Sequence, residues 1–270
     1  MPLTDIQRDV VVVLKQFRTP HTYVAGGAVL NHNWLRLSDD LDIFHDGRDA
    51  LPGDIADELK ALAENGFACE MVHSDNWTVE IIARKYGFET KIQWFSDLET
   101  SQRFFAAQAD EQFGFRLHQA DAAVNKVLCA SRRNTAPRDA VDLMTIAQDY
   151  APLGPLVWAA SAKENMGQRK SPRELLDAIN QIVFGYGEEE IQAVRMDGPK
   201  VSRADIRDIL KPALKAAARY CEEVAPVTYD SHLFIDQNET PVEARSVDIE
   251  SGRYMARAIM RLEPVPSISD

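Results

Sequence analysis

Residues 23–44, reading YVAGGAVLNHNWLRLSDDLDIF, constrain the fold of this chain more than any other stretch. Asp40-Leu41-Asp42 runs into Ile43-Phe44, an apolar-flanked pattern that predicts a strand. Residues two apart on a strand project from one face, so both carboxylates point the same way. Gly26-Gly27 follows the apolar run Tyr23-Val24-Ala25 and precedes Ala28-Val29-Leu30, which places it where a strand hands over to a helix. Glycine there lets a phosphate approach the backbone and the helix amides. Two carboxylates on one rigid face suit Mg²⁺ or Mn²⁺, hard cations that take oxygen ligands and use one or two carboxylates plus substrate phosphates. A phosphate ester is the natural substrate of such a pair. Taken singly, a diglycine is commonly a turn and a D-x-D a solvated strand end; the order, with Arg36 and Ser38 between them, is what informs.

Around this stretch the chain reads as an α+β protein. Thr4-x-x-Gln7 has the form of a capping box, and Ile6, Val10, Val13, Leu14 and Phe17 recur at helical spacing, predicting a helix over 5–18 closed by Pro20. Asp46-Gly47 is a turn signal, followed by a helical stripe of Ile55, Leu59, Leu62 and Ala63 that Asn65-Gly66 stops. Residues 67–72, 77–83 and 88–95 are strand-like, with Tyr86-Gly87 as a hairpin turn. A small mixed sheet with packed helices follows, over residues 1–115. From 116 to 270 the pattern is mainly helical: Ser171-Pro172-Arg173-Glu174 and Ser202-x-x-Asp205 open helices, and Pro212 is expected to kink or split the second. Residues 225–243 read as extended loop, and 249–262 as a last helix.

Composition narrows the function classes. No apolar run approaches the roughly 18–20 residues of a membrane helix. The start, MPLTDIQRDVVVVLKQF, lacks a basic leader, so a cytoplasmic protein is expected. Cys69, Cys129 and Cys221 are widely spaced with no C-x-x-C, and are expected to be idle thiols. A net charge of −12 argues against strong sequence-independent binding to a phosphate backbone, so any nucleic-acid contact must use a local patch.

One such patch is visible. Between 116 and 138 five Lys or Arg stand against one acid, Asp121. Lys126 and Arg133 lie two turns apart on about one helical face and suit a phosphate clamp exposed to solvent, so their removal is expected to spare the fold. Asp139 and Asp142, at i and i+3, share a face of the next helix, where Asp142 could orient Lys126 or act as a base. Without the first motif, Arg138-Asp139 would read as an ordinary first-turn charge arrangement.

Together these stretches resemble the DNA polymerase beta-like nucleotidyltransferase superfamily, and more closely its AbiEii-like branch (AbiEii/AbiGii toxin type). That branch carries a Gly-Gly and then Arg-x-Ser-x-Asp-Leu-Asp-aromatic, matched here by Gly26-Gly27 and Arg36-Leu37-Ser38-Asp39-Asp40-Leu41-Asp42-Ile43-Phe44, with Ile43 set before the aromatic. It also carries a helix Lys, an Arg two turns on, and Arg-Asp-x-x-Asp-Leu, matched by Lys126, Arg133 and Arg138-Asp139-Ala140-Val141-Asp142-Leu143. The resemblance spans roughly residues 22–150. It implies a metal-dependent nucleotidyltransferase moving an NMP from an NTP to an acceptor hydroxyl, with Asp40 and Asp42 holding Mg²⁺ (or Mn²⁺) and, with Lys126 and Asp142, forming the catalytic set. Gly26, Gly27, Arg36, Ser38, Arg133, Arg138 and Asp139 would bind the nucleotide. It further implies an RNA acceptor and a toxin paired with an antitoxin protein; no membrane partner is expected, from the apolar run lengths above. Transfer to a small molecule or a protein side chain, or a degenerate fold that binds nucleotide or a partner without chemistry, are the competing readings. The superfamily's third carboxylate falls on Gln93, which is no anionic ligand; Glu80, Glu89 and Asp97 are the nearby alternatives.

Overall fold

The structure, a computed structural model, describes residues 3–31, 34–46, 51–96, 102–132, 135–163 and 169–260. They gather into two compact units, one within residues 3–96 and 105–119, the other within 102–104 and 120–260.

In the first unit, helix α1 (Asp5–Leu14) begins at the predicted box: Thr4 N donates to Gln7 Oε1 at 2.9 Å and Gln7 N to Thr4 Oγ1 at 3.4 Å. A 3₁₀ turn over Lys15–Phe17 replaces the last turn of the expected helix. Then come β1 (Thr22–Ala25), α2 (Gly26–Leu30), β2 (Asp40–His45), α3 (Leu51–Asp54), α4 (Ala56–Glu64), β3 (Ala68–Ser74), β4 (Thr78–Lys85), β5 (Phe88–Ser96), β6 (Gln108–Asp110) and β7 (Gly114–Arg116). The strands form one mixed sheet in the order β3-β4-β5-β2-β1-β7-β6, in which β2 runs antiparallel to β1 and parallel to β5. Positive φ at Tyr86 (54°) and Gly87 (83°) gives the two-residue turn that the twist of the β4–β5 hairpin demands.

Alternation along the strands decides which face is core. Leu41, Ile43, Val79, Ile81, Ala83, Ile92 and Trp94 are buried, and α1 packs on β5 while α4 packs on β3 and α1. The residues between them, Asp40, Asp42, Glu80, Lys91 and Gln93, take the other face. Beneath the core face lies a buried polar group. Arg18 pairs with Glu58, Trp94 Nε1 donates to Glu58 Oε2 at 2.9 Å, and His45 Nε2 stands 3.8 Å from Glu58 Oε1.

The second unit holds α5 (Gln119–Ala130), α6 (Pro137–Asp149), α7 (Leu153–Ala162), α8 (Pro172–Val183), α9 (Glu188–Gln192) and α10 (Arg203–Arg219). A hairpin of β8 (His232–Ile235) and β9 (Met255–Ala258) follows, with α11 (Ser246–Glu250) in its loop. Gly154 allows close packing of α7 on Tyr220, whose ring would lie 2.7 Å from any Cβ there. Trp158, Tyr220 and Phe234 make the local core, and Tyr220 Oη donates to Ala244 O at 3.0 Å.

Three expectations need correction. Of the kink or split expected at Pro212, the split does not occur: Pro212 and Asp208, whose helical carbonyl it cannot satisfy, are both exposed, so water can take that hydrogen bond. The extended loop expected over 225–243 contains strand β8, and the helix expected from 249 is instead the five-residue α11 followed by β9. Gly252, at φ +73°, ends α11, and pairing with the apolar strand His232–Ile235 then draws residues 255–258 into extended form. Among the described residues no helix is long and apolar enough to cross a membrane.

Candidate active site

The D-x-D lies at the centre of the first unit's sheet. Ala25 is the cross-strand partner of Asp42 on β1, Gln93 its partner on β5, and Glu80 the partner of Gln93 on β4. Asp42, Gln93 and Glu80 therefore share one row and one face. In the next row Asp40 is the partner of Lys91. Lys91 Nζ stands 3.6 Å from Asp40 Oδ2 and 3.6 Å from Glu80 Oε2, and Gln93 Nε2 donates to Glu80 Oε2 at 2.6 Å. Asp40 is nearly buried, with 11% of its side chain exposed, while Lys91 retains 32%. One ammonium thus joins a D-x-D carboxylate to a carboxylate two strands away.

The diglycine is held against this strand. Gly26 has φ +65°, and a Cβ there would run into the carboxylate of Asp42. A Cβ on Gly27 would run into the guanidinium of Arg36 and lie 3.1 Å from Ser38 Oγ. Gly26 is required by its φ and by the carboxylate that lies on it, whereas at Gly27 a Cβ would displace the end of the Arg36 side chain. Arg36 and Ser38 are buried, at 3% and 1% exposure. Ser38 Oγ donates to Asp40 O at 2.8 Å, Arg36 Nη1 to Leu37 O at 2.8 Å, and Gln7 Nε2 to Ser38 O at 3.1 Å. These contacts lock the turn into β2 and so aim Asp40 and Asp42.

In the second unit the other predicted residues also gather. Lys126 Nζ lies 2.7 Å from Asp139 Oδ1 and 2.9 Å from Asp142 Oδ2. Asp139 Oδ2 accepts from Thr135 Oγ1 at 2.7 Å and Ala136 N at 3.0 Å, the latter capping α6, whose first turn contains Pro137. Burial raises the Asp139 carboxyl, but the Lys126 charge and hydrogen bond, with those two donors, outweigh it and hold the pKa below its ordinary value. Asp142 is fully buried and the Lys126 side chain only 11% exposed. Lys126 is therefore not the solvent-exposed clamp its helical position suggested: helix α6 supplies two acids on one side of it. Arg138 is partly exposed at the start of α6. Arg133, and with it Asp97 among the proposed third carboxylates, lies outside the described residues. Glu89 pairs with Arg84 at 2.9 Å.

Two groups were missed in the sequence. Lys91 belongs to the D-x-D face, and alternation along FETKIQWF with Asp40 placed opposite would have exposed it, but only with the β2–β5 register in hand. Asp121 is fully buried, accepts from Phe104 N at 3.0 Å, and pairs with Lys163 Nζ at 3.2 Å, so the single acid of the basic stretch fastens the start of α5 to the end of α7. Its charge had no partner within hailing distance in the sequence.

The donor set fits a divalent cation of the substrate-completed kind. Among the described residues no three His, Cys, Asp or Glu side chains come together closely enough to hold a metal. Two same-face carboxylates on a rigid sheet are what a protein would contribute to a Mg²⁺ site completed by water and phosphate oxygens.

No protein-family model matches the chain, and no curated protein matches it in sequence. Solved structures do resemble it. A candidate nucleotidyltransferase from H. pylori superposes with TM-score 0.44 at 16% identity, covering 79% of this chain and 95% of that one. JHP933 from Helicobacter pylori gives 0.47 at 14% identity over 80% and 95% of the two chains. The Cid1 poly(U) polymerase with MgGTP bound gives 0.31 at 14% identity over 85% and 94%. At such low identity and superposition, chemistry has to be read from the side chains of this chain itself.

Proposed function

We propose that the chain is a divalent-metal-dependent nucleotidyltransferase of the AbiEii-like kind. The observation that carries the reading is the placement of Asp42 over Gly26, with Asp40 two residues away on the same sheet face. Asp40 and Asp42 would hold Mg²⁺ or Mn²⁺, which supplies neutralisation of phosphate charge. The space over the diglycine is taken by the Asp42 carboxylate and the Arg36 guanidinium, so a phosphate-binding role for Gly26 and Gly27 rests on the motif resemblance. Arg36 and Ser38 serve by fixing the turn. In the reaction an acceptor hydroxyl forms a bond to the α-phosphorus of an NTP as the bond to pyrophosphate breaks. The catalytic role of Lys126 and Asp142 and the nucleotide-binding role of Arg133, Arg138 and Asp139 rest on the motif resemblance, as do the RNA acceptor, the antitoxin partner and the toxin context.

The test is single-turnover transfer of NMP from each labelled NTP to total cellular RNA with Mg²⁺, beside a melting curve. Asp40→Asn and Asp42→Asn are each expected to lose roughly 10²- to 10³-fold in rate while staying folded. A fully active Asp40→Asn protein sinks the assignment.

A second reading has its own support. Lys91 already offers a positive charge to Asp40 and Glu80, and Gln93 stands in the row where a third carboxylate would serve. Such a face suits a nucleotide-binding protein without turnover. Tight NTP binding with no pyrophosphate release would favour it.

A further inference from the structure

A groove of about 570 Å³ runs between α8, α9 and α10 in the second unit, within the size range of ligand sites. Arg203, Arg207 and Lys211, at i, i+4 and i+8 of α10, line one wall. Its floor is apolar, from the buried Val183, Ile191 and Ile206. Phe184, only partly buried, lies at the lip, and Arg203 Nη2 donates to its carbonyl at 3.2 Å. The lining carries three cations and one carboxylate, Glu188, in a chain of net charge −12. Both oxygens of Glu188 are engaged, by Arg203 N at 2.9 Å and Gln192 Nε2 at 2.6 Å. Arg207 meets the exposed Asp208 through Nε at 3.0 Å. The helices that form the groove all pack on α6, which carries Asp139 and Asp142.

Cations above an apolar floor match a ligand that is anionic along one edge and flat and apolar along the other. Arg203 to Lys211 spans about 12 Å of helix at roughly 1.5 Å per residue, enough to meet successive phosphates of a strand, where a mononucleotide offers one phosphate group. An unpaired base can stack on a phenylalanine ring whatever its identity. We infer that this groove binds single-stranded RNA, with phosphates along Arg203, Arg207 and Lys211 and a base against Phe184. That the strand is RNA and the acceptor rests on the nucleotidyl-transfer reading above; that a single strand binds here does not.

Fluorescence anisotropy of a labelled short single-stranded RNA, titrated with the full chain at several salt concentrations, tests this. Arg207→Gln/Lys211→Gln changes only exposed side chains, so it should fold, and it should weaken binding about tenfold or more. The slope of log K against log salt should also fall by about 1.4, or 0.7 per cation. Phe184→Ala should weaken binding at least about fivefold with the salt slope unchanged. Wild-type affinity in the double variant, no RNA binding by the wild type, or equal binding of UMP and the strand would each overturn the inference. Mg²⁺-dependent NTP binding, measured in parallel, separates the two ideas. Its absence alongside RNA binding that the variants weaken leaves the groove standing and removes the catalytic reading.

Discussion

The carboxylate of Asp42 occupies the place where a side chain on Gly26 would have to stand. Gly26→Ala therefore acts twice. It forces an L-residue to φ +65°, at a cost of about 1–2 kcal/mol, and it pushes Asp42 off its position. Urea denaturation should show that loss, and calorimetry with Mn²⁺ and NTP should show binding falling to that of Asp42→Asn. A variant that binds normally would mean the contact is incidental.

Lys91 competes for the charge a metal would meet. An ammonium about 4 Å from a carboxylate is worth about 1 kcal/mol in bulk water, and more beside a nearly buried carboxylate such as Asp40 or against a divalent ion. Lys91→Met is expected to tighten Mn²⁺ binding by roughly five- to tenfold, read by Mn²⁺ electron paramagnetic resonance without nucleotide. Weaker binding would instead make Lys91 a support of Asp40.

Burial makes Lys126→Ala a test of folding as much as of binding. It removes the cation that both Asp139 and Asp142 meet, the second fully buried, and breaking a buried pair from one side costs about 3–5 kcal/mol. Because the folded pKa of Asp139 is depressed below 3.8, its stabilisation is complete above that value and fades as pH falls through the lower folded one. The gap between wild type and variant in urea unfolding should accordingly narrow in acid. An unchanged midpoint at pH 7 would return Lys126 to the role of an exposed clamp.

His45 gives a second pH dependence, of milder onset. Burial first, and the neighbouring Arg18 charge second, hold its pKa down from 6.5 to about 4. The unfolded chain takes up a proton below pH 6.5 that the folded one refuses until about 4, so stability falls across that window by about 3 kcal/mol. His45→Asn should flatten this part of the profile relative to wild type, with Arg18 and Glu58 present in both. Parallel profiles would show that another group titrates.

What was legible in the sequence was whatever is encoded locally. The capping box at Thr4, the helix starts at Ser171 and Ser202, the Tyr86-Gly87 hairpin and the D-x-D strand each depend on residues within a few positions of one another, and each is found. The three-residue strands β6 and β7 carry too few residues for a pattern; they pair because β1 has an edge to offer. The partnership of Lys91 with Asp40 and Glu80 depends on the joint register of β2, β5 and β4, and the burial of Lys126 on where Asp139 and Asp142 of the next helix come to lie. Neither is a property of any short stretch.

Asp40 and its partner Lys91 are about fifty residues apart, and their strands run parallel, whereas β3, β4 and β5 are joined by successive hairpins. Long-range parallel pairing is slow compared with closing a hairpin. The meander can thus assemble before β2 finds its place beside it, and the face that carries Asp40 and Asp42 is among the later surfaces to exist. On the ribosome the D-x-D is made early but stays without its neighbour until residue 96 is free. Refolding followed by Mn²⁺ binding should then trail refolding followed by circular dichroism, the chemistry of the chain arriving after most of its shape.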